Sequence, residues 1–125
     1  MAAPSRYGFG KDVHMENYRL VTTLPELRNY LAGAEVVAFD FETSPDEKYR
    51  EDAKAALDPH RAHIVGVSFS VEEGTGVYVP VAHKAGGNIE NAESLWAWLK
   101  GSLFESKSVV KAAHNLAFEA MFLYA

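Results

Sequence analysis

Phe39-Asp40-Phe41-Glu42-Thr43 alternates aromatic rings with carboxylates, directly after the apolar-rich run Ala34-Glu35-Val36-Val37-Ala38. Side chains alternate across a β-strand. A strand over Val36 to Phe41 therefore points Phe39 and Phe41 to one face and Asp40 and Glu42 to the other. The rings anchor the strand in a core while two negative charges converge at its carboxyl end. Like charges held together are costly unless a cation neutralises them. Clustered hard oxygens suit Mg²⁺ or Mn²⁺. Taken alone, an Asp-x-Glu pair is more often two solvated acids at a strand end. The rest of the chain decides between the two readings.

Upstream, Tyr18 to Thr22 reads as a short strand, with Leu20 and Thr22 alternating against Arg19 and Val21. Thr23-Leu24-Pro25-Glu26 has capping-box spacing, and Leu24, Leu27 and Leu31 follow at helical spacing up to a stop at Gly33. Downstream, Ser44-Pro45-Asp46-Glu47 has the same spacing, with proline at the first helical position. It predicts a polar surface helix over 48–57, with Tyr49, Ala53 and Ala56 or Leu57 on one stripe, ending before Pro59. Lys48, Arg50 and Lys54 are read as its solvated face in preference to cations near the acids.

Ile64 to Val71 and Val77 to Val81 are strands joined by the turn chemistry of Glu72-Glu73-Gly74-Thr75-Gly76, which predicts an antiparallel hairpin. Pro80 marks an edge position or a strand end. His83 reads as a hydrogen-bonded structural residue, and His60 and His63 as loop residues. After a loop over 84–91, Ala92 to Phe104 forms an amphipathic helix with Leu95, Leu99 and Leu103 on one face. Trp96 and Trp98 beside them read as packing residues and not as a base-stacking platform. Ser108 to Ala113 is a further strand, and Asn115 caps a last helix through Leu116, Phe118, Met121 and Phe122. The alternation predicts an α/β fold, a mixed sheet flanked by helices.

The 125 residues suffice for one domain with a core. Residues 1–17 mix Gly, Pro, charge and His and read as a flexible arm, leaving 18–125 as the folded domain. That arm lacks the apolar segment of a secretory signal, and the chain has no cysteine. Disulfides and thiolate metal sites are thereby ruled out, and a cytoplasmic location is expected. The net charge of −5 argues against nucleic-acid binding by bulk electrostatics. It does not rule out a nucleic-acid enzyme whose bound cations offset its own carboxylates.

A third carboxylate follows in Lys111-Ala112-Ala113-His114-Asn115-Leu116-Ala117-Phe118-Glu119. If Asn115 caps the last helix, Glu119 falls in its first turn, where the helix dipole favours a negative charge. If the Ser108–Ala113 strand pairs beside the acidic strand, Glu119 projects toward Asp40 and Glu42. Three carboxylates at one rim make a two-metal site.

Asp-x-Glu-Thr at a strand end, Ile-Val-Gly-Val-Ser-Phe-Ser, Val-Tyr-Val-Pro-Val-Ala-His and His-Asn-x-x-Phe-Glu stand here in that order. Together they resemble the 3′–5′ proofreading exonuclease domain of family A (DNA polymerase I-like) DNA polymerases. That domain belongs to the DnaQ-like superfamily, on a ribonuclease H-like fold, and the resemblance covers roughly residues 18 to 125. It implies that Asp40 bridges two Mg²⁺ or Mn²⁺ ions and that Glu42 binds the ion that activates water. Glu119 takes the position of a second-motif acid that is usually Asp. Thr43, His114 and Asn115 fall where the family contacts the terminal nucleotide or its backbone. For Thr43 and Asn115, a turn hydroxyl and an N-cap are equally good readings.

The implied chemistry is hydrolysis of 3′-terminal phosphodiesters of single-stranded or frayed DNA, with a polymerase domain in the same full-length chain. The family's third motif, Tyr- or His-x-x-x-Asp, has no match late in the sequence. The expectation is a partial domain, lacking its C-terminal part, from a longer polymerase-like protein. Two alternatives stand beside it. One is a catalytically inactive nucleic-acid-binding or structural module of the same fold. The other is an RNA exonuclease of the ribonuclease D type, against which the Tyr78-Val79-Pro80-Val81-Ala82-His83 block leans.

Overall fold

A computed structural model of the chain describes residues 17–52, 54–113 and 122–123. The expected N-terminal arm, apart from Asn17, and the start of the expected last helix lie outside the described residues. Five strands form one mixed sheet in the order β1-β4-β3-β2-β5. They are β1 Tyr18–Leu20, β2 Val36–Pro45, β3 Ala62–Ser70, β4 Gly76–Pro80 and β5 Val110–Ala113. The central strands β2, β3 and β4 are antiparallel, while β1 and β5 run parallel to β4 and β2 at the two sides. Helices α1 (Leu24–Leu31) and α2 (Ala92–Leu99) complete the α/β arrangement.

Helix α1 starts as its sequence dictates. The Thr23 side chain accepts from the Glu26 N–H at 3.3 Å, Pro25 sits in the first turn, and Leu27 and Leu31 are buried. Gly33 follows at φ 75°, a conformation that L side chains resist. Helix α2 is capped by Asn91, whose side chain accepts from Ser94 N–H at 3.0 Å. It continues as a wider π-helical turn, Lys100–Phe104, that buries Leu103. One core unites Leu27, Leu31, Leu95 and Leu99 with Val37, Phe39, Phe41, Val67, Phe69, Val77 and Val79. The strand residues among them alternate along β2, β3 and β4, so the helices cover one sheet face.

The β3–β4 hairpin forms as expected, with Ser68 opposite Tyr78 and Phe69 opposite Val77. Gly74 in its turn sits at φ 82°. Pro80 proves to be a strand end, because β1 covers the other side of β4. β1 itself stops at Leu20, which is exposed, and it is Val21 that enters the core.

Three expectations are overturned from the end of β2 to the start of β3. First, β2 does not stop at Phe41 but pairs with β3 as far as Pro45 opposite Ala62, so the two acids lie within the strand and not at its carboxyl end. Among the described residues β5 pairs only as far as Phe39, which leaves the Pro45 end of β2 with β3 as its partner. Second, no helix spans 48–57. Short 3₁₀ turns at Glu47–Tyr49 and Ala55–Leu57 take its place. The Asp46 N–H donates to the Arg61 carbonyl at 2.8 Å, which closes the excursion at its neck. Asp52 and Asp58 then accept from backbone N–H groups two residues on, at Lys54 (3.0 Å) and His60 (2.9 Å). Such local side-chain bonds compete with a helical ladder. His63 likewise is not a loop residue: it lies in β3 and pairs through Nδ1 with Asp46 at 2.8 Å.

Candidate active site

The sheet face turned away from the helices carries the acids. Phe39 and Phe41 are almost fully buried, whereas Asp40 is half-buried and Glu42 exposed. The rings are fixed by edge contacts, Phe39 on Phe104 at 5.2 Å and Phe41 on Trp96 at 6.2 Å between centroids. Trp96 and Trp98 both pack against the core, as expected. Core packing on one side therefore sets the height and direction of the carboxylates on the other.

Strand register places Asp40, Ser68 and Tyr78 in one row across the open face, and Glu42, Gly66 and Pro80 in the next. The Tyr78 ring crosses diagonally from its own row to lie over Gly66. A Cβ on Gly66 would stand 1.8 Å from the Tyr78 hydroxyl, so only glycine admits the ring. The hydroxyl reaches Glu42 Oε2 at 3.2 Å and His83 Nε2 at 2.6 Å. An ionised carboxylate only accepts, so the phenol proton goes to Glu42 and His83 supplies Nε2–H to the phenol oxygen. Burial first, and then the charge and hydrogen bond of Glu42, push the Tyr78 hydroxyl well above the usual tyrosine range. It stays a donor at neutral pH.

His83 is held in turn. Its N–H donates to Asn88 Oδ1 at 2.7 Å and its carbonyl accepts from Asn88 Nδ2 at 3.0 Å. The structural reading of His83 is borne out, but the bond it makes runs toward the acids. Tyr78 and Gly66 were missed as site residues. The signal for Gly66 is present, since an isolated glycine inside a strong strand pattern marks a close approach of another group.

Pairing shifts register between Glu42 and Thr43, where Val65 is skipped on β3. Bulges of this kind recur beside active sites because they re-aim side chains. Just past the bulge, the Thr43 hydroxyl donates to the Ala56 carbonyl at 2.6 Å. Lys48 lies 5.5 Å over the Tyr49 ring and Arg50 pairs with Glu47 at 3.1 Å, so these cations belong to the solvated excursion. β5 pairs beside β2 as expected, and its last residue Ala113 stands opposite Phe39. The described part of β5 ends one register step before Asp40. His114, Asn115 and Glu119 lie outside the described residues. Among the described residues no three acidic, His or Cys side chains converge as a metal cluster. Asp40 and Glu42, hard oxygen donors on one strand face, fit part of a divalent-cation set.

No family model matches the chain. It is 35% identical over 80 residues to a DNA-directed DNA polymerase of Pseudomonas phage M6, a match covering 64% of this chain and 11% of that protein. It is 43% identical over 53 residues to DNA polymerase I of Pseudomonas aeruginosa, covering 42% of this chain and 5% of the relative. The chain thus spans only a small part of the curated relatives it matches. Among solved structures, Brucella melitensis NrnC aligns with TM-score 0.51 at 26% identity, over 86% of this chain and 41% of that one. NrnC has also been solved with bound Mg²⁺ and bound to pGG. The EXO domain of Aedes aegypti Nibbler aligns with TM-score 0.64 over 91% of this chain and 46% of that one, and at 15% identity the likeness is one of fold.

Proposed function

We propose that the chain carries part of a DnaQ-like 3′–5′ exonuclease domain related to DNA polymerase I and acts on the 3′ ends of single-stranded or frayed DNA, a reading supported by the polymerase relatives and by the likeness to NrnC. One observation carries this: Asp40 and Glu42 share the open face of a central strand whose other face is locked into the core. Asp40 and Glu42 would hold divalent cations, Mg²⁺ or Mn²⁺, with Glu119 as a further ligand. When bound, two such ions supply an activated water and stabilise the leaving 3′-oxygen.

The protein's own part is placement. Asp40 and Glu42 set their carboxylates on one strand face, and the Tyr78 hydroxyl holds the Glu42 carboxylate in place. His114 and Asn115 are assigned to the terminal nucleotide. Thr43 gives its proton to Ala56, so it meets a nucleotide only as an acceptor. NrnC bound to pGG supports a nucleic-acid ligand. The polymerase relatives support a polymerase domain in the full-length protein. No helix among the described residues is long and apolar enough to cross a membrane.

The test is release of a 3′ label from single-stranded DNA with Mg²⁺ or Mn²⁺, comparing the chain with Asp40→Ala. Asp40-dependent release of mononucleotides supports the reading. Equal release from both proteins, or none from either, overturns catalysis by this chain and favours a nucleic-acid-binding module of the same fold.

A further inference from the structure

Glu42 is exposed on an open sheet face, where a glutamate side chain ordinarily samples many rotamers. Here it is not left to do so. The Tyr78 hydroxyl bonds Oε2 at 3.2 Å. The phenol oxygen is also held by His83 at 2.6 Å, so the hydroxyl is fixed from a second side. The His83 backbone is clamped by two bonds to Asn88, and Gly66 leaves room for the ring to reach across. The series Asn88, His83, Tyr78, Glu42 spans β4, the loop after it and β2, and it ends on a carboxylate.

We propose that Tyr78, admitted by Gly66 and braced by His83, is a positioning residue that fixes Glu42 for metal binding and thereby sets the site's cation affinity. This rests on the exonuclease reading above. Carboxylates that ligate metals are themselves commonly held by hydrogen bonds, and loss of such a partner costs about 10–100-fold in metal affinity or activity. Gly66 acts at one remove: a methyl there displaces the ring and so releases Glu42. The contacts of Gly66 and Tyr78 form one unit, and their substitutions are expected to be non-additive.

Mn²⁺ titration of the chain, followed by the electron paramagnetic resonance signal of the free ion, tests this without any turnover. Tyr78→Phe keeps the ring and removes only the oxygen. It is expected to raise the Mn²⁺ Kd about 10–100-fold with the far-ultraviolet circular dichroism unchanged. Gly66→Ala is expected to weaken binding similarly, and to add little in the Tyr78→Phe background. If Tyr78→Phe binds Mn²⁺ as the parent does, while Asp40→Ala abolishes binding, the positioning role is overturned and the exonuclease reading stands. If the parent itself shows no Asp40-dependent Mn²⁺ binding, both are overturned. Should Gly66→Ala fail to fold, Tyr78→Phe alone decides.

Discussion

Two polar clusters flank the bulge at Val65, and they are built in opposite ways. In the excursion between β2 and β3, Arg61 pairs with both Asp52 and Asp58, Asp46 with His63, and Arg50 with Glu47. Partners there are mostly near in sequence, and their side chains are 29–79% exposed. On the other side, one neutral hydroxyl joins Glu42 to His83, bridging 36 residues between Tyr78 and Glu42. The excursion has more ion pairs and the smaller consequence. Exposed pairs gain about 0–1 kcal/mol each after screening and side-chain entropy. The Tyr78 contact directs one carboxylate on a surface that the core has already made rigid.

The most severe way to break this contrast is to remove the anchor beneath the acids. Phe41→Ala is expected to cost about 3–5 kcal/mol, read from urea unfolding, and to take the site with it. Asp40→Ala should leave stability nearly intact but lower label release by more than about 100-fold, measured at saturating Mn²⁺. Tyr78→Phe comes next, with the weaker Mn²⁺ binding described above. Arg61→Gln severs both aspartate pairs in the excursion, yet it is expected to shift the urea midpoint little and to leave the Mn²⁺ Kd unchanged. A large effect on Mn²⁺ binding would erase the distinction between the two clusters.

The smallest effect is one of pH. The His60 N–H, and after it the Arg61 guanidinium, hold the Asp58 carboxyl below its ordinary range. A depressed carboxylate stabilises the fold above its unfolded pKa of about 3.9, and that contribution is lost as pH falls through the lower folded value. Asp58→Asn should therefore flatten part of the decline in Tm below about pH 4, measured by thermal melts across acid buffers.

These clusters also differ in how well they can be read from sequence. The acidic strand and the hairpin are legible because period-2 alternation is a local signal: Phe39 and Phe41 go in, Asp40 and Glu42 go out. The excursion misleads because Ser44-Pro45-Asp46-Glu47 matches a helix start. The same Asp and Pro chemistry equally serves a strand end and side-chain-bonded turns. What decided between them was the continued pairing of β2 with β3, which no local pattern carries. Tyr78 reads as ordinary strand filler and His83 as a lone structural histidine. Their meeting with Glu42 depends on register between three strands. The Asp40-to-β5 adjacency was foreseeable from chain order, whereas Glu119, His114 and Asn115 fall beyond the described residues.

The hairpin register has a consequence for insertions and deletions. Ser70 ends β3 and Gly76 begins β4, and the few residues between them act as a ruler. Lengthening that turn by one residue would slide β4 so that Tyr78 faces the helices and Val77 and Val79 face water. No residue of the turn touches Glu42, yet its length is part of the site's specification. Changes of length are far better tolerated in the excursion over 46–61, whose ends are tied by their own bonds. Among relatives of this chain, the gap-free segment to look for is the hairpin.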